Sequence, residues 1–139
     1  MSAITNYLEE AWLNMLKGTA YTAPAAVYVK LHVSDPGETP TSHTGGSASS
    51  VTSRQQVTFG TVSQDGSSPT KATVSNTNDI SWTNWAGTNG EVVTHISLWD
   101  AQTTNTGNPL WYGALTASKT VNTGDTLTIP ANSLTLTLA

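Results

Sequence analysis

Cysteine is absent from the 139 residues, which excludes a disulfide framework and thiol chemistry and leaves the redox compartment open. Charge is scarce too. Only 10% of residues are Asp, Glu, Lys or Arg, against roughly a quarter in ordinary soluble domains. The balance is −4 at pH 7, so the basic patch that nucleic acid requires is missing. Apolar runs of membrane-spanning length are lacking. Glu9 and Glu10 stand where an export signal would need its apolar core, so synthesis in a cytoplasm without a standard export signal is expected. Phe occurs once, whereas Trp occurs five times.

Ser, Thr, Gly and Asn fill the polar positions instead. Thr suits strands and the others suit turns, so the balance points to one all-β domain spanning residues 1–139. The stretch that organises the chain is Val92 to Trp99, a β-branched and aromatic run bounded by Gly90 and a polar Asn/Thr/Gly run. Alternation sets Thr94, Ile96 and Leu98 on one side and Val93, His95, Ser97 and Trp99 on the other. Both sides carry large apolar groups, so this strand is expected at the centre of a sheet, covered on both faces.

Before it, residues 2–17 read as one amphipathic helix. Ile4, Tyr7, Leu8, Ala11, Trp12 and Met15 recur at helical spacing. Ser2 or Thr5 can cap its start, and Lys17-Gly18 supplies a stop. The helix is expected to cover the sheet through Tyr7, Leu8, Trp12 and Met15. Strands are predicted at 26–34, 56–62, 71–75, 79–82, 110–116, 126–129 and 134–138, with a bulge or close backbone approach at Gly113. The whole reads as a β-sandwich, jelly-roll-like, with one N-terminal helix. Residues 36–53 are Ser, Thr, Gly and Pro with almost nothing apolar, and are predicted to form a long mobile loop suited to ordering against a partner.

Chemistry-bearing patterns are sparse. His32, His43 and His95 have no second ligand at helical spacing, although His32 and His95 sit mid-strand and could meet in space; ordinary strand positions account for them better than a metal site. No Ser occupies a nucleophile elbow. Glu9 and Glu10 are adjacent on a helix and cannot flank one substrate bond. The remaining carboxylates fall mostly in turns, and Gly45-Gly46 lacks the Lys and helix of a phosphate loop. Neither an enzyme nor a cofactor or metal is therefore expected. Trp82 and Trp85 with Asn84 and Asn89 could form a sugar-stacking shelf, but core packing or a subunit contact is the commoner role of such rings. Candidate partner or subunit contacts are Trp82 and Trp85, with Thr39, Thr41, His43 and Thr44 from the long loop.

Several segments in order carry a resemblance: a short Leu/Trp helix ending Lys17-Gly18-Thr19; Ala20 to Leu31; Ser34-Asp35-Pro36-Gly37-Glu38; Arg54 to Gly60; Val93 to Asp100; Leu110 to Leu115; and Val121 to Thr126. Together they resemble a family of small tailed-bacteriophage structural proteins, labelled variously as head decoration (cement) proteins and as tail-fibre-like or minor tail proteins. The resemblance covers nearly the whole chain. It implies a non-enzymatic β domain that works by binding other copies of itself or a virion surface. A homotrimer bound to the major capsid protein is the expected assembly, and the charge balance and hydropathy lead us to expect no nucleic acid or membrane partner. Capsid decoration is the role expected first. A tail or tail-fibre component, in contact with a host glycan through the Trp82–Trp85 loop, is the other.

Overall fold

A computed structural model describes residues 2–40 and 54–138. Its elements in order are β1 (Ser2–Ile4), α1 (Asn6–Leu16), β2 (Val27–His32), β3 (Gln55–Val57), β4 (Ser63–Gln64), β5 (Ala72–Ser75), β6 (Ile80–Trp82), β7 (Glu91–Trp99), β8 (Pro109–Val121), β9 (Leu127–Ile129) and β10 (Thr135–Leu138). Three antiparallel sheets form among them: β1-β8-β7-β2-β3, β10-β5-β4 and β6-β9. The all-β sandwich with one short helix near the N-terminus matches the sequence-based expectation.

β7 lies at the middle of the five-stranded sheet. From Ile96 to Trp99 every side chain is buried, as a centrally placed, doubly covered strand requires. Cross-strand pairing sorts its neighbours by face. Leu98 stands between Val29 and Trp111, and Ile96 between Leu31 and Gly113. These residues form the apolar face, which joins Val57, Ile80, Trp82, Trp85 and Leu127 in the core. Leu134 and Leu136 close on it from the smaller sheet, lining a cleft with Ile96, Leu98, Trp111 and Gly113. Gly113 lines this cleft. The bulge expected there is displaced: Gly113 keeps regular pairing with both Ile96 and Ser2. The register breaks instead between Val93 and His95, and between Leu98 and Trp99.

The helix is shorter than its apolar periodicity suggested. Ser2–Ile4 pairs along the edge of β8 instead, because a sheet edge offers hydrogen bonds to a segment that ends in a β-branched residue and a capping Thr. Thr5 is the pivot. Its backbone N–H donates to Leu110 O at 3.1 Å, its hydroxyl donates to Pro109 O at 2.6 Å, and the same oxygen accepts from Leu8 N at 3.5 Å. At the other end Gly18 takes φ of +90°, with Gly18 N bonded to Met15 O and Thr19 N to Asn14 O. That pair of bonds is the Schellman stop expected of Lys17-Gly18. Leu8 is buried and Trp12 packs on the core, whereas Tyr7 and Met15 face outward. The contact stripe is therefore narrower than the sequence pattern.

The long loop also begins differently from its composition. Residues 36–40 are tied down: Asn6 N donates to Glu38 O at 3.1 Å, Gly37 N donates to Asp35 Oδ1 at 2.9 Å, and Pro36 and Pro40 are buried. Proline rings bury apolar surface without needing an N–H partner, so the start of the predicted mobile loop is held against the fold. Residues 41–53 lie outside the described residues.

Thr5 connects strand, cap and helix, so its removal has a defined effect. Thr5→Ala should lower unfolding stability by about 1–2 kcal/mol, combining a lost cap with an unsatisfied buried carbonyl. Thr5→Ser should recover most of that loss. Thermal denaturation of the two variants is the check; equal loss in both would remove the hydroxyl from the account.

Candidate functional site

The two tryptophans singled out as partner contacts are inside the molecule. Trp82 is 3% and Trp85 1% exposed. Trp82 lies in β6, paired with Leu127 of β9. The loop that follows is clamped to the turn at 122–125: Trp85 N donates to Asp125 O and Gly124 N to Trp85 O, both at 2.9 Å. Thr123 N donates to Asn89 Oδ1 at 3.1 Å. The sugar-stacking shelf is thereby overturned, because the clamp turns the rings inward and commits Asn89 to the backbone. Thr39 is exposed at the end of the tethered segment. Thr41, His43 and Thr44 lie outside the described residues.

The other face of the five-stranded sheet is buried and polar. Continuing the alternation, it carries Tyr28, Lys30 and His32 from β2, His95, Ser97 and Trp99 from β7, and Tyr112 from β8. Lys30, His32, Ser97 and Arg54 are all at most 2% exposed. Ser97 holds the middle: its Oγ accepts from Trp99 Nε1 at 2.7 Å and lies 2.6 Å from His32 Nε2. The two histidines are brought together as direct cross-strand partners. His32 Nε2 is engaged by Ser97, and His95 Nδ1 lies 2.8 Å from Thr94 Oγ1. Among the described residues no group of three His, Cys, Asp or Glu is placed to hold a metal ion.

Arg54 closes this face. Its guanidinium stacks on Trp99 at 3.8 Å from the ring centroid, a cation–π contact. Its Nη1 donates to Ala101 O at 2.8 Å and Thr106 O at 2.9 Å, clasping the loop between β7 and β8. The same loop is braced by Asp100, whose two carboxylate oxygens accept from Asn108 N and Asn108 Nδ2. Gly107 there has φ of +73°, and a Cβ on it would collide with the Asp100 carboxylate and the Ala101 side chain, so only glycine fits.

Electrostatics follow from burial. Desolvation pulls Lys30 down to about 8, with the Arg54 charge adding to it. Burial holds His32 down to about 3, with the Lys30 charge as the next cause. Arg54 is itself lowered by burial, to about 10. At neutral pH the face holds two cations and a neutral imidazole. Sequence reasoning missed this cluster. Lys30 and His32 looked like the solvent side of a half-buried strand, and Arg54 stood at the edge of a polar run.

Apolar surface is exposed elsewhere. On α1, Leu13 is 64% and Leu16 81% exposed, with Met15 and Tyr7 also outward. Leu13 and Leu16 are three residues apart and therefore neighbours on the helix surface. Val62 and Leu138 are exposed beside a groove lined also by Val74, Trp111 and Leu136. With Lys30 and Arg54 buried, Lys17, Lys71 and Lys119 are left to offset nine carboxylates. The described outer surface is thus acidic with exposed apolar patches.

Compared with known protein families, residues 3–137 match the family described as "Podophage GP4 fiber I protein gp80". The chain belongs to this podophage fibre protein family. The match spans the strands of all three sheets and the helix. A search of curated proteins returns no match. A phage virion structural role follows from membership of the gp80 family, in agreement with the resemblance drawn from the sequence.

The buried cations and imidazole give the fold a characteristic pH response. His32 binds its proton in the unfolded chain near the ordinary 6.5 but only near 3 when folded. The unfolded state therefore takes up protons first, and stability falls as pH drops from 6.5. The loss should reach roughly 2–3 kcal/mol by about pH 4.5. Lys30 acts in the opposite range: its folded value near 8 lies below the ordinary 10.5, so stability rises as pH climbs between those values. Urea titrations in chloride buffer at constant ionic strength test both limbs, and His32→Gln should flatten the acid limb alone. Asp65, held low at about 2 by its hydrogen bonds from Ser67 and Lys71, titrates below that window.

Proposed function

We propose that the chain is a building subunit of a podophage tail fibre, acting by self-association and by docking to neighbouring virion proteins rather than by catalysis. The carrying observation is the match of residues 3–137 to a family described as a fibre protein. Head decoration, the role expected first from the sequence resemblance, ranks below it because the family's description names a fibre. The exposed leucines of α1 support an assembling subunit. A helix whose inner stripe of Leu8 and Trp12 serves the core, while Leu13 and Leu16 face water, exposes apolar surface that a neighbouring copy would cover. Low surface charge favours such a contact, since few ions need be desolvated. The homotrimer expected from the sequence is the assembly we assign to it.

Two measurements test this reading. Gold-labelled antibody on intact virions should decorate the tail in a few copies per particle; dense label over the head would overturn the fibre role in favour of decoration. Sedimentation of the purified chain should show a trimer or another closed ring. Leu13→Glu with Leu16→Glu should drive it to monomer while leaving the thermal midpoint of the subunit nearly unchanged, because neither side chain joins the core. An oligomer unaffected by the double substitution would remove α1 from the interface.

A further inference from the structure

The buried polar face leaves one edge of a charged group without a partner. Arg54 is fixed at three points: Nη1 on two carbonyl oxygens and the guanidinium plane on Trp99. Its other two nitrogens, Nε and Nη2, are buried and have no hydrogen-bond partner. They form one side of the guanidinium, and their N–H groups run parallel in the fork that receives two oxygens of a carboxylate, sulfate or phosphate. Buried polar groups in folded proteins are nearly always satisfied, and an exception points to a bound water or ion that completes the site. A cation asks for more than water, because its charge is desolvated as well.

The surroundings carry the same sign. The register of β2 with β3 pairs Tyr28 with Gln56 and Val29 with Gln55; continued by one pair, it sets Lys30 opposite Arg54. Lys30 and Arg54 are both enclosed, at 2% and 0% exposure. The nearby His32 presents a second unpartnered nitrogen, Nδ1. Asp100 is the carboxylate whose field reaches Arg54, but both its oxygens are taken by Asn108. Arg54 and Lys30 carry like charges that interact, and an anion on the Nε–Nη2 edge would offset their repulsion.

We infer that the free Nε–Nη2 edge of Arg54, with Lys30 across from it, is a binding site for a small oxyanion enclosed within the folded subunit. The anchoring of Nη1 and the stack on Trp99 hold the fork in place before the anion arrives. The fork geometry of that edge matches the paired oxygens of a carboxylate or a tetrahedral oxyanion. The ion is a structural one that the subunit acquires as it folds or when this face opens. The site does not depend on where the protein sits in the virion.

The test exploits Arg54 as the chain's single arginine. Its Nε–H gives one assignable signal in the proton–nitrogen spectrum of the 15N-labelled protein. Inorganic phosphate, sulfate and acetate would each be titrated to about 10 mM against chloride at matched ionic strength, together with thermal melting under the same conditions. At least one oxyanion should move that signal saturably and raise the melting midpoint. Acetate acting alone would identify a carboxylate site, and phosphate or sulfate acting alone a tetrahedral one. In Lys30→Met, which keeps the apolar stem and removes the charge, the dissociation constant should rise by at least about tenfold. Arg54→Lys should abolish the stabilisation if that variant folds. Absence of a saturable shift beyond chloride with all three anions would overturn the site, as would a response unchanged in Lys30→Met.

Discussion

The structure depends on β7 being covered on both faces by different chemistry. Ile96 and Leu98 enter an apolar core with the tryptophans and leucines of the smaller sheets, while Ser97 and Trp99 enter a buried polar face. A residue on the first face gains by losing water. One on the second is tolerated only with its hydrogen bonds intact, since a buried polar group without a partner is costly. This requirement fixes much else. Ser97 must sit between Trp99 and His32, so the β2–β7 register cannot slip by one residue without exchanging the faces. Arg54 must reach Trp99, which draws β3 to the sheet edge and holds the loop after β7 through Ala101 and Thr106.

The same division accounts for the outside. Burying two of five cations leaves an acidic surface of low charge density, with its large apolar groups concentrated on the outer side of α1 and near β10. Thr5 anchors that helix at its start, where sheet edge, cap and β8 meet, and the Schellman turn ends it. The helix is thus an anchored element with apolar residues on both sides, one in the core and one facing outward. A virion protein needs that combination: an independently folded subunit whose remaining apolar area is covered on assembly. Membership of the fibre protein family fits such a subunit.

Much of the architecture was legible in the sequence. The central strand, the helix stop at Lys17-Gly18 and most strand positions follow from alternation and turn residues. Ser2–Ile4 was absorbed into the helix because Ile4 fits the apolar stripe as well as it fits a strand, and only the edge of β8 decides between them. The second half of β8 was missed because Thr116 to Thr120 carries no apolar alternation; it is paired through the backbone to the start of β7. The candidate site was less legible. Trp82 and Trp85 look alike whether a ring faces sugar or core, and the clamp that turns them inward lies some forty residues downstream at Gly124 and Asp125. The polar face is harder still, since Lys30 and Ser97 belong to two strands and Arg54 immediately precedes a third, and no local pattern reveals their order.

Native-state hydrogen exchange followed residue by residue tests most directly the claim that β7 is the strand on which the fold depends. The account predicts that the amides of Ile96, Ser97 and Leu98 exchange only through global unfolding. Those of β4 and β10, in the smaller outer sheet, should open at lower free energy. If Ile96 to Leu98 exchanged as readily as Ser63–Gln64, the doubly covered strand would not be the element that holds the sandwich together.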